Sequence, residues 1–221
     1  YKSVPKDFDK DVLFAELKNA CVHLGVQSEN IHTFDYPVRE FPKYRQEILE
    51  DLVAFRNKIE KVDLVVLPNS TDVHQDHQVI NQEGIRAFKH SRILGYELVW
   101  NNLFFTSNYH TRLSKKQLDT KWLAISEYKS QGFRNYKSQS FIEGLARVRG
   151  TQVGCEFAEA FELIRFLISD QSDRTDFQFF KHKLNITLDN TIGEVAHVSC
   201  ERGLLWKRAG TTLTVVLVPV T

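Results

Sequence analysis

The segment His74-Gln75-Asp76-His77 places two imidazoles and one carboxylate within four residues. Imidazole nitrogen is a good zinc ligand, and a carboxylate beside a histidine can fix its tautomer and raise its basicity. If one histidine binds a metal, the other can donate a hydrogen bond to an oxyanion or a proton to a leaving amine. Such a short string also arises by chance, so it indicates a site only where the surrounding elements support one.

The elements before this motif favour a site. Residues 62–67 form a mainly apolar run that is rich in valine and is closed by Pro68, which is typical of a strand covered on both faces. Upstream, the spacing of apolar residues predicts a helix over 9–24, a strand over 31–34 and a helix over 45–60. This alternation indicates an α/β fold, in which ligands bind beyond the carboxyl ends of parallel strands. The motif follows one such strand end directly.

The remaining chain divides into two parts. We predict a helix over 76–90, strands over 93–98 and 103–106, helices over 114–129 and 138–149, and a strand or helical turn over 161–167. A polar break near 169–175 precedes strands over 184–188, 195–199 and 213–218. We therefore expect a Rossmann-like three-layer α/β sandwich with a mostly parallel sheet in residues 1–171. Residues 172–221 are expected to form a small β-rich C-terminal appendage.

Composition narrows the class of protein. The net charge of +1 argues against a nucleic-acid binder that neutralises phosphates, and no apolar run is long enough to cross a bilayer. Three widely spaced cysteines are typical of reduced thiols, so we expect a cytoplasmic protein. The sequence starts at Tyr1 and contains no Met, from which we expect a fragment or a processed product. A trimmed chain is the alternative.

Several separated segments together resemble one known family. They are the stretch 62–77 with the following 94–97, Leu24-Gly25-Val26, Tyr128-Lys129-Ser130-Gln131, and Gly154 to Phe161, where Phe157 replaces a tyrosine of the family pattern. In their order along the chain, these segments resemble the LmbE-like branch of the PIG-L deacetylase family, over about residues 9–167. The resemblance implies a zinc-dependent hydrolase that removes the N-acetyl group from an amino sugar or glycoconjugate, a small-molecule substrate.

The resemblance also implies roles for the motif. In the family, zinc is held by a His and an Asp of an N-terminal His-Pro-Asp-Asp motif and by the last His of HxDH, which is His77 here. The neighbouring Asp of the first motif activates the zinc-bound water, which attacks the amide carbonyl. His74 corresponds to the residue that stabilises the oxyanion and protonates the leaving amine, and Asp76 would orient His74.

One departure from the family pattern is serious. No His-Pro-Asp-Asp occurs in the 221 residues, and a catalytic zinc site usually needs three protein ligands and a water. We therefore expect an N-terminally truncated domain that binds zinc weakly and is inactive or nearly so, while the full-length protein is an enzyme. Two alternatives stay open: a metal-dependent hydrolase of another amide or ester, and a non-catalytic sugar-binding or assembly module.

Further residues are candidates for substrate contacts. Arg39 and Arg45 could meet a phosphate or uronate on a sugar, although a solvated helix face is the alternative. Trp100 and Asn101 could pack against a sugar ring and bond its hydroxyls, the alternative being a loop with a core Trp. Asp72 could support a metal-binding histidine, but a helix cap or turn role is favoured. The sequence leaves the sugar, the pathway and a homo-oligomeric state open.

Overall fold

The computed structural model describes residues 12–59 and 62–167, and the backbone of two further strands at 203–209 and 212–218. The helices are α1 (Val12–His23), α2 (Arg45–Lys58), α3 (Gln75–Ala87), α4 (Lys115–Ser126) and α5 (Gln139–Gln152). The strands are β1 (Ile31–Thr33), β2 (Leu64–Pro68), β3 (Arg92–Tyr96), β4 (Tyr109–Leu113), β5 (Phe157–Arg165), β6 (Gly203–Ala209) and β7 (Thr212–Val218). The α/β class predicted from the sequence is confirmed.

All the described strands form one sheet, in the order β1-β7-β6-β2-β3-β5-β4. Strands β2 and β3 are parallel, as the intervening helix α3 requires, and so are β1 and β7. The other neighbours are antiparallel, because β5 enters between β3 and β4 from the opposite end and β6 opposes both β2 and β7. The sheet is therefore mixed, and the prediction of a mostly parallel sheet was wrong.

The C-terminal strands lie inside this sheet. The strand predicted over 213–218 is present as β7, and the β6–β7 pair stands between β1 and β2. The strands predicted over 184–188 and 195–199 fall outside the described residues. The division of the chain at residue 171 stays a prediction.

One predicted strand is wrong. Residues 103–106 form a loop, in which Leu103 and Phe104 are largely exposed, and the strand begins later, at Tyr109. The apolar run suggested a strand, but the loop is instead tied to the turn after β2, where the Thr71 hydroxyl donates to the Phe104 carbonyl at 2.8 Å. The uncertain segment 161–167 belongs to the end of β5 and the two residues that follow it.

Helices cover both faces of the sheet. Apolar residues of α1, α4 and α5 pack with Val66 and Leu94 on one face, and those of α2 and α3 pack with Val65, Leu67 and Ile93 on the other. Alternate residues of β2 therefore enter different cores, as a strand covered on both sides requires. This packing holds the start of α3 just beyond the carboxyl end of β2. No helix in the described part of the chain is long and apolar enough to span a membrane.

Candidate functional site

The loops after β2 and β3 are joined by two asparagines. The side-chain amides of Asn69 and Asn102 bond each other at 2.9 and 3.1 Å, and Asn69 also donates to the Tyr96 carbonyl at 3.0 Å. A backbone hydrogen bond also links the two loops, from the Val73 amide to the Asn101 carbonyl at 3.0 Å. These links fix the loop that carries the His-x-Asp-His motif. Sequence reasoning missed Asn69 and Asn102 as positioning residues, because their partners are distant in sequence.

Asp72 is buried and makes two hydrogen bonds at the centre of this loop. Its Oδ1 accepts from the His74 amide at 2.8 Å, which is the turn role that the sequence favoured. Its Oδ2 lies 2.7 Å from Nδ1 of His77, which is also buried. A carboxylate at that distance holds the proton on Nδ1, so the Nε2 lone pair of His77 is the one suited to a metal. Asp72 thus stabilises the turn before α3 and also orients the His77 ring.

His74 stands at the start of α3 as its N-cap. Its Nδ1 accepts from the Asp76 amide at 3.2 Å, so the neutral ring carries its proton on Nε2. The rings of His74 and His77 are neighbours, with centroids 4.6 Å apart and planes inclined by 31°. The Nε2 of His74 is therefore a hydrogen-bond donor and the Nε2 of His77 an acceptor. The sequence led us to expect this pair of roles, with one donating and one metal-binding histidine.

Asp76 has a different partner from the one implied by the family resemblance. Its carboxylate is fully buried and accepts from the backbone amides of Arg39 at 2.5 Å and Phe41 at 3.2 Å. Only its own backbone N–H reaches the His74 ring. The carboxylate that orients an imidazole here is that of Asp72, and the imidazole is that of His77. Asp76 instead fastens the loop of residues 39–41 to the start of α3.

The two arginines considered for substrate contacts have different surroundings. Arg45 donates to Glu83, a fully buried carboxylate of α3, with Nε at 2.9 Å from Oε1, and Arg86 binds the other oxygen of Glu83. Arg45 therefore joins α2 to α3. Arg39 is exposed beside Asp76, and its backbone is left-handed, with φ of 63°.

Trp100 and Asn101 lie on the loop after β3. One face of the Trp100 ring is stacked on Tyr136, with centroids 3.6 Å apart and planes inclined by 9°. The Asn101 side-chain nitrogen is 3.4 Å from Nδ1 of His77, so Asn101 borders the histidine pair. The structure thus brings Asn101 to the motif, and it gives Trp100 an aromatic partner that sequence reasoning missed.

A cavity of about 90 Å³ lies beside this loop, between the β3 and β5 strands and helices α1, α4 and α5. Trp100 and Tyr136 line it together with mainly apolar side chains. Two largely buried ion pairs, Lys121–Glu159 and Arg149–Glu97, also face it. Glu159, a residue of the motif near the end of the family resemblance, therefore makes an ion pair.

The described side chains do not fit a complete zinc site. Three protein ligands are usual for catalytic zinc, but no three His, Cys, Asp or Glu side chains among the described residues come together to hold a metal. The carboxylates of Asp72 and Asp76 already serve His77 and the 39–41 loop. Among the described residues, His77 is the one whose ring is oriented by a carboxylate in the way that a zinc ligand requires.

Two solved structures resemble the fold. The conserved protein TT1542 from Thermus thermophilus aligns with a TM-score of 0.53 and 18% identity, over 74% of this chain and 77% of that one. N,N'-diacetylchitobiose deacetylase from Pyrococcus horikoshii, solved with an inhibitor, aligns with a TM-score of 0.55 and 21% identity. That alignment covers 68% of this chain and 62% of the deacetylase. At these identities the likeness concerns the fold.

Sequence comparison places the resemblance in the first half of the chain. No curated protein matches this sequence. The family model for PIG-L, GlcNAc-PI de-N-acetylase, matches residues 7–88, from the segment before α1 to the end of α3. This stretch contains Asp72 and the whole His74 to His77 motif. The resemblance to the PIG-L family inferred from the sequence is thereby confirmed over residues 7–88.

Proposed function

We propose that this protein belongs to an enzyme that hydrolyses the N-acetyl group of an amino sugar or glycoconjugate. The observation that carries the proposal is the buried Asp72–His77 pair beside His74, at the carboxyl end of β2. A matching family model over the same segment and a deacetylase among the similar folds support a deacetylase type of reaction. The small-molecule substrate and a cytoplasmic location are part of the proposal.

In this reaction water adds to the amide carbonyl carbon, the carbon–nitrogen bond breaks, and acetate and a free amine are formed. His74 is placed to act on the nitrogen side. Because its Nδ1 accepts from the Asp76 amide, its ring proton lies on Nε2, and this N–H is the group that would bond the oxyanion and then give its proton to the leaving amine. Asn101 borders the same space and can bond the carbonyl or a sugar hydroxyl.

We also propose that the reaction uses zinc, and His77 is the one described residue that we assign as a zinc ligand. The resemblance assigns His77 as a ligand, and the Asp72 bond leaves its Nε2 suited to one. The described residues do not complete the site, and His-Pro-Asp-Asp is absent from the 221 residues. We therefore propose that the remaining ligands come from outside the described residues and that the 221-residue chain alone has little activity.

The incomplete donor set also favours a second candidate, a non-catalytic sugar-binding or assembly module with the same fold. The two candidates differ in what the protein does once a complete set of zinc ligands is present. An enzyme binds about one zinc per chain and releases acetate once the missing ligands are supplied. A binding module holds the sugar but releases no acetate in any form.

The test measures zinc by elemental analysis and acetate release from N-acetylglucosamine conjugates on the same samples. The 221-residue chain is compared with a longer form, extended at its N-terminus by a segment that carries His-Pro-Asp-Asp. H74A and H77A are compared with H90A, which changes an exposed histidine away from the motif. The proposal expects zinc and acetate release only in the longer form, with H77A losing zinc and H74A losing activity but keeping zinc. Stoichiometric zinc on the 221-residue chain would contradict the ligand assignment, and zinc without acetate release would favour the binding module.

A further inference from the structure

The loop of residues 39–41 is held against the histidine motif by one side chain. Asp76 accepts from the Arg39 and Phe41 amides through its carboxylate, and its own amide donates to the His74 ring. A single buried residue thus connects the Arg39 backbone to a residue of the candidate site. The loop cannot move away from His74 without breaking hydrogen bonds to a buried carboxylate, which is costly.

The backbone of Arg39 is strained. Its φ of 63° makes it the one non-glycine residue with a positive φ in the described part of the chain. This left-handed conformation favours glycine, and strained residues of other types are concentrated at functional sites. The Asp76 bond stabilises the conformation. An arginine at a position where glycine would be relaxed indicates that its side chain is used.

The Arg39 guanidinium differs from the other cations nearby. Arg45 and Arg86 bind Glu83, and Lys43 binds Glu40 at 2.9 Å. Arg39 is exposed, and within the described residues its guanidinium makes no ion pair or hydrogen bond. Because Glu40 is paired with Lys43, the acidic neighbour in the loop does not neutralise Arg39. An exposed arginine whose guanidinium has no partner among the described residues therefore belongs to the loop that Asp76 fastens to the start of α3.

We propose that Arg39 determines substrate specificity by binding an anionic substituent of the amino-sugar substrate, and that Asp76 is its positioning residue. This inference rests on the proposed function for the identity of the sugar. A guanidinium offers a planar pair of donors that matches the two oxygens of a carboxylate or a phosphate. The substrate class is thus an N-acetylated amino sugar that carries a carboxylate or phosphate.

The test measures binding, so that it does not depend on turnover. The 221-residue chain is titrated by calorimetry with N-acetylglucosamine, N-acetylglucosamine 1-phosphate and the corresponding uronic acid. Wild type is expected to bind one or both anionic sugars more tightly than the neutral one, and the better of the two identifies the substituent. R39Q should weaken anionic-sugar binding about 10- to 100-fold, the range for hydrogen bonds to a charged group.

Two variants separate recognition from folding. R39G removes the cation but relaxes the left-handed backbone, so it should be at least as stable as wild type and still lose the preference for the anionic sugar. K89Q removes an exposed lysine that lies beyond the end of α3 and outside this loop, and it serves as the control, with unchanged binding. D76N can no longer accept from both amides, and it should lower anionic-sugar binding in the same way as R39Q.

The outcomes also separate this inference from the proposed function. Equal binding of neutral and anionic sugars by wild type, or unaltered binding by R39Q and R39G, would overturn the role of Arg39. The longer form could prefer the anionic sugar in an Arg39-dependent way and yet release no acetate. That result would support the anion-binding role of Arg39 and would contradict the proposed deacetylase function. In an active form, D76N has a further readout. A higher KM for the anionic substrate supports a positioning role, whereas an equal loss of kcat on neutral and anionic substrates would mean that Asp76 acts through His74.

Discussion

At the scale of single residues, the chemistry of the motif depends on which nitrogen of each histidine carries the proton. The Asp72 carboxylate holds the proton of His77 on Nδ1, and the Asp76 amide leaves that of His74 on Nε2. The two rings are neighbours but present opposite hydrogen-bonding character. This difference follows from backbone and side-chain partners supplied by the same short loop.

Replacement of Asp72 by Asn should reverse the tautomer of His77. The Asn oxygen can still accept from the His74 amide, but its NH₂ group would donate to Nδ1 and move the ring proton to Nε2. Nitrogen-15 NMR of the imidazole distinguishes the two tautomers directly. The N101S variant, which changes the weaker 3.4 Å neighbour, is the control and should keep the proton on Nδ1. An Nε2–H tautomer in wild type would contradict the assignment of Asp72.

A second residue-scale prediction concerns His32 on β1. Burial, and to a smaller extent the charge of Lys58, lower the pKa of His32 below its ordinary value of 6.5. On acidification the unfolded chain therefore takes up a proton at this histidine before the folded protein does. Well above pH 6.5 His32 has no effect on the free energy of unfolding, and as the pH falls through 6.5 protonation of the unfolded chain lowers that free energy. Denaturant unfolding of wild type and H32Q between about pH 8 and 5 tests this. Wild type should lose more stability than H32Q on acidification, and equal losses would contradict the shift.

At the scale of elements, the end of α5 is set by a close approach of backbones. A side chain at Gly150 would place its Cβ 2.6 Å from the Cys155 carbonyl oxygen and 2.7 Å from that of Glu156. The chain turns there from α5 into β5, which carries residues that line the cavity beside the site. Gly144 lies in the same helix with nothing within 4 Å of such a Cβ.

These two glycines give a matched pair of predictions. G150A should lower the free energy of unfolding by about 1–3 kcal/mol, because backbone atoms must shift to admit the methyl group. G144A should raise it by about 0.5–1 kcal/mol, because alanine favours a helix interior over glycine. Denaturant unfolding monitored by circular dichroism measures both. A neutral G150A would mean that α5 and β5 are less closely packed than the structure has them.

At the scale of the whole molecule, one sheet with helices on both faces brings the loops after β2 and β3 together. The pair β6–β7 stands in that sheet between β1 and β2. The sequence, in contrast, predicted that residues 172–221 form an appendage. The two arrangements lead to different behaviour when the C-terminal part is removed.

A chain of residues 1–171 should therefore fold poorly. Removal of β6 and β7 leaves unpaired backbone on β2 and takes the parallel partner from β1, and exposed strand edges promote association. Thermal unfolding and light scattering, with the 221-residue chain as the control, measure the effect. A lower midpoint with aggregation is expected. A monomeric 1–171 chain with an unchanged midpoint would instead support the separable appendage.

The sequence by itself determined the features that depend on neighbouring residues. The periodicity of apolar residues placed α1, α2, α3 and β2 with errors of a few residues, because amphipathic and buried patterns are local. The His-x-Asp-His motif, its place after a buried strand and the resemblance to the PIG-L family were also readable, and the matched segment 7–88 confirms the resemblance.

Only the tertiary structure decided which partners these residues have. The Asp76 carboxylate accepts from a loop more than thirty residues earlier in the chain, whereas the Asp72 carboxylate bonds the His77 imidazole. Both carboxylates lie close in sequence to the two histidines, so spacing alone does not tell which of them bonds an imidazole. The loop at 103–106, the antiparallel entry of β5 and the junction of Asn69 with Asn102 likewise depend on contacts between distant segments. Local patterns report burial and backbone preference, but the pairing of polar groups is set by how the whole chain packs.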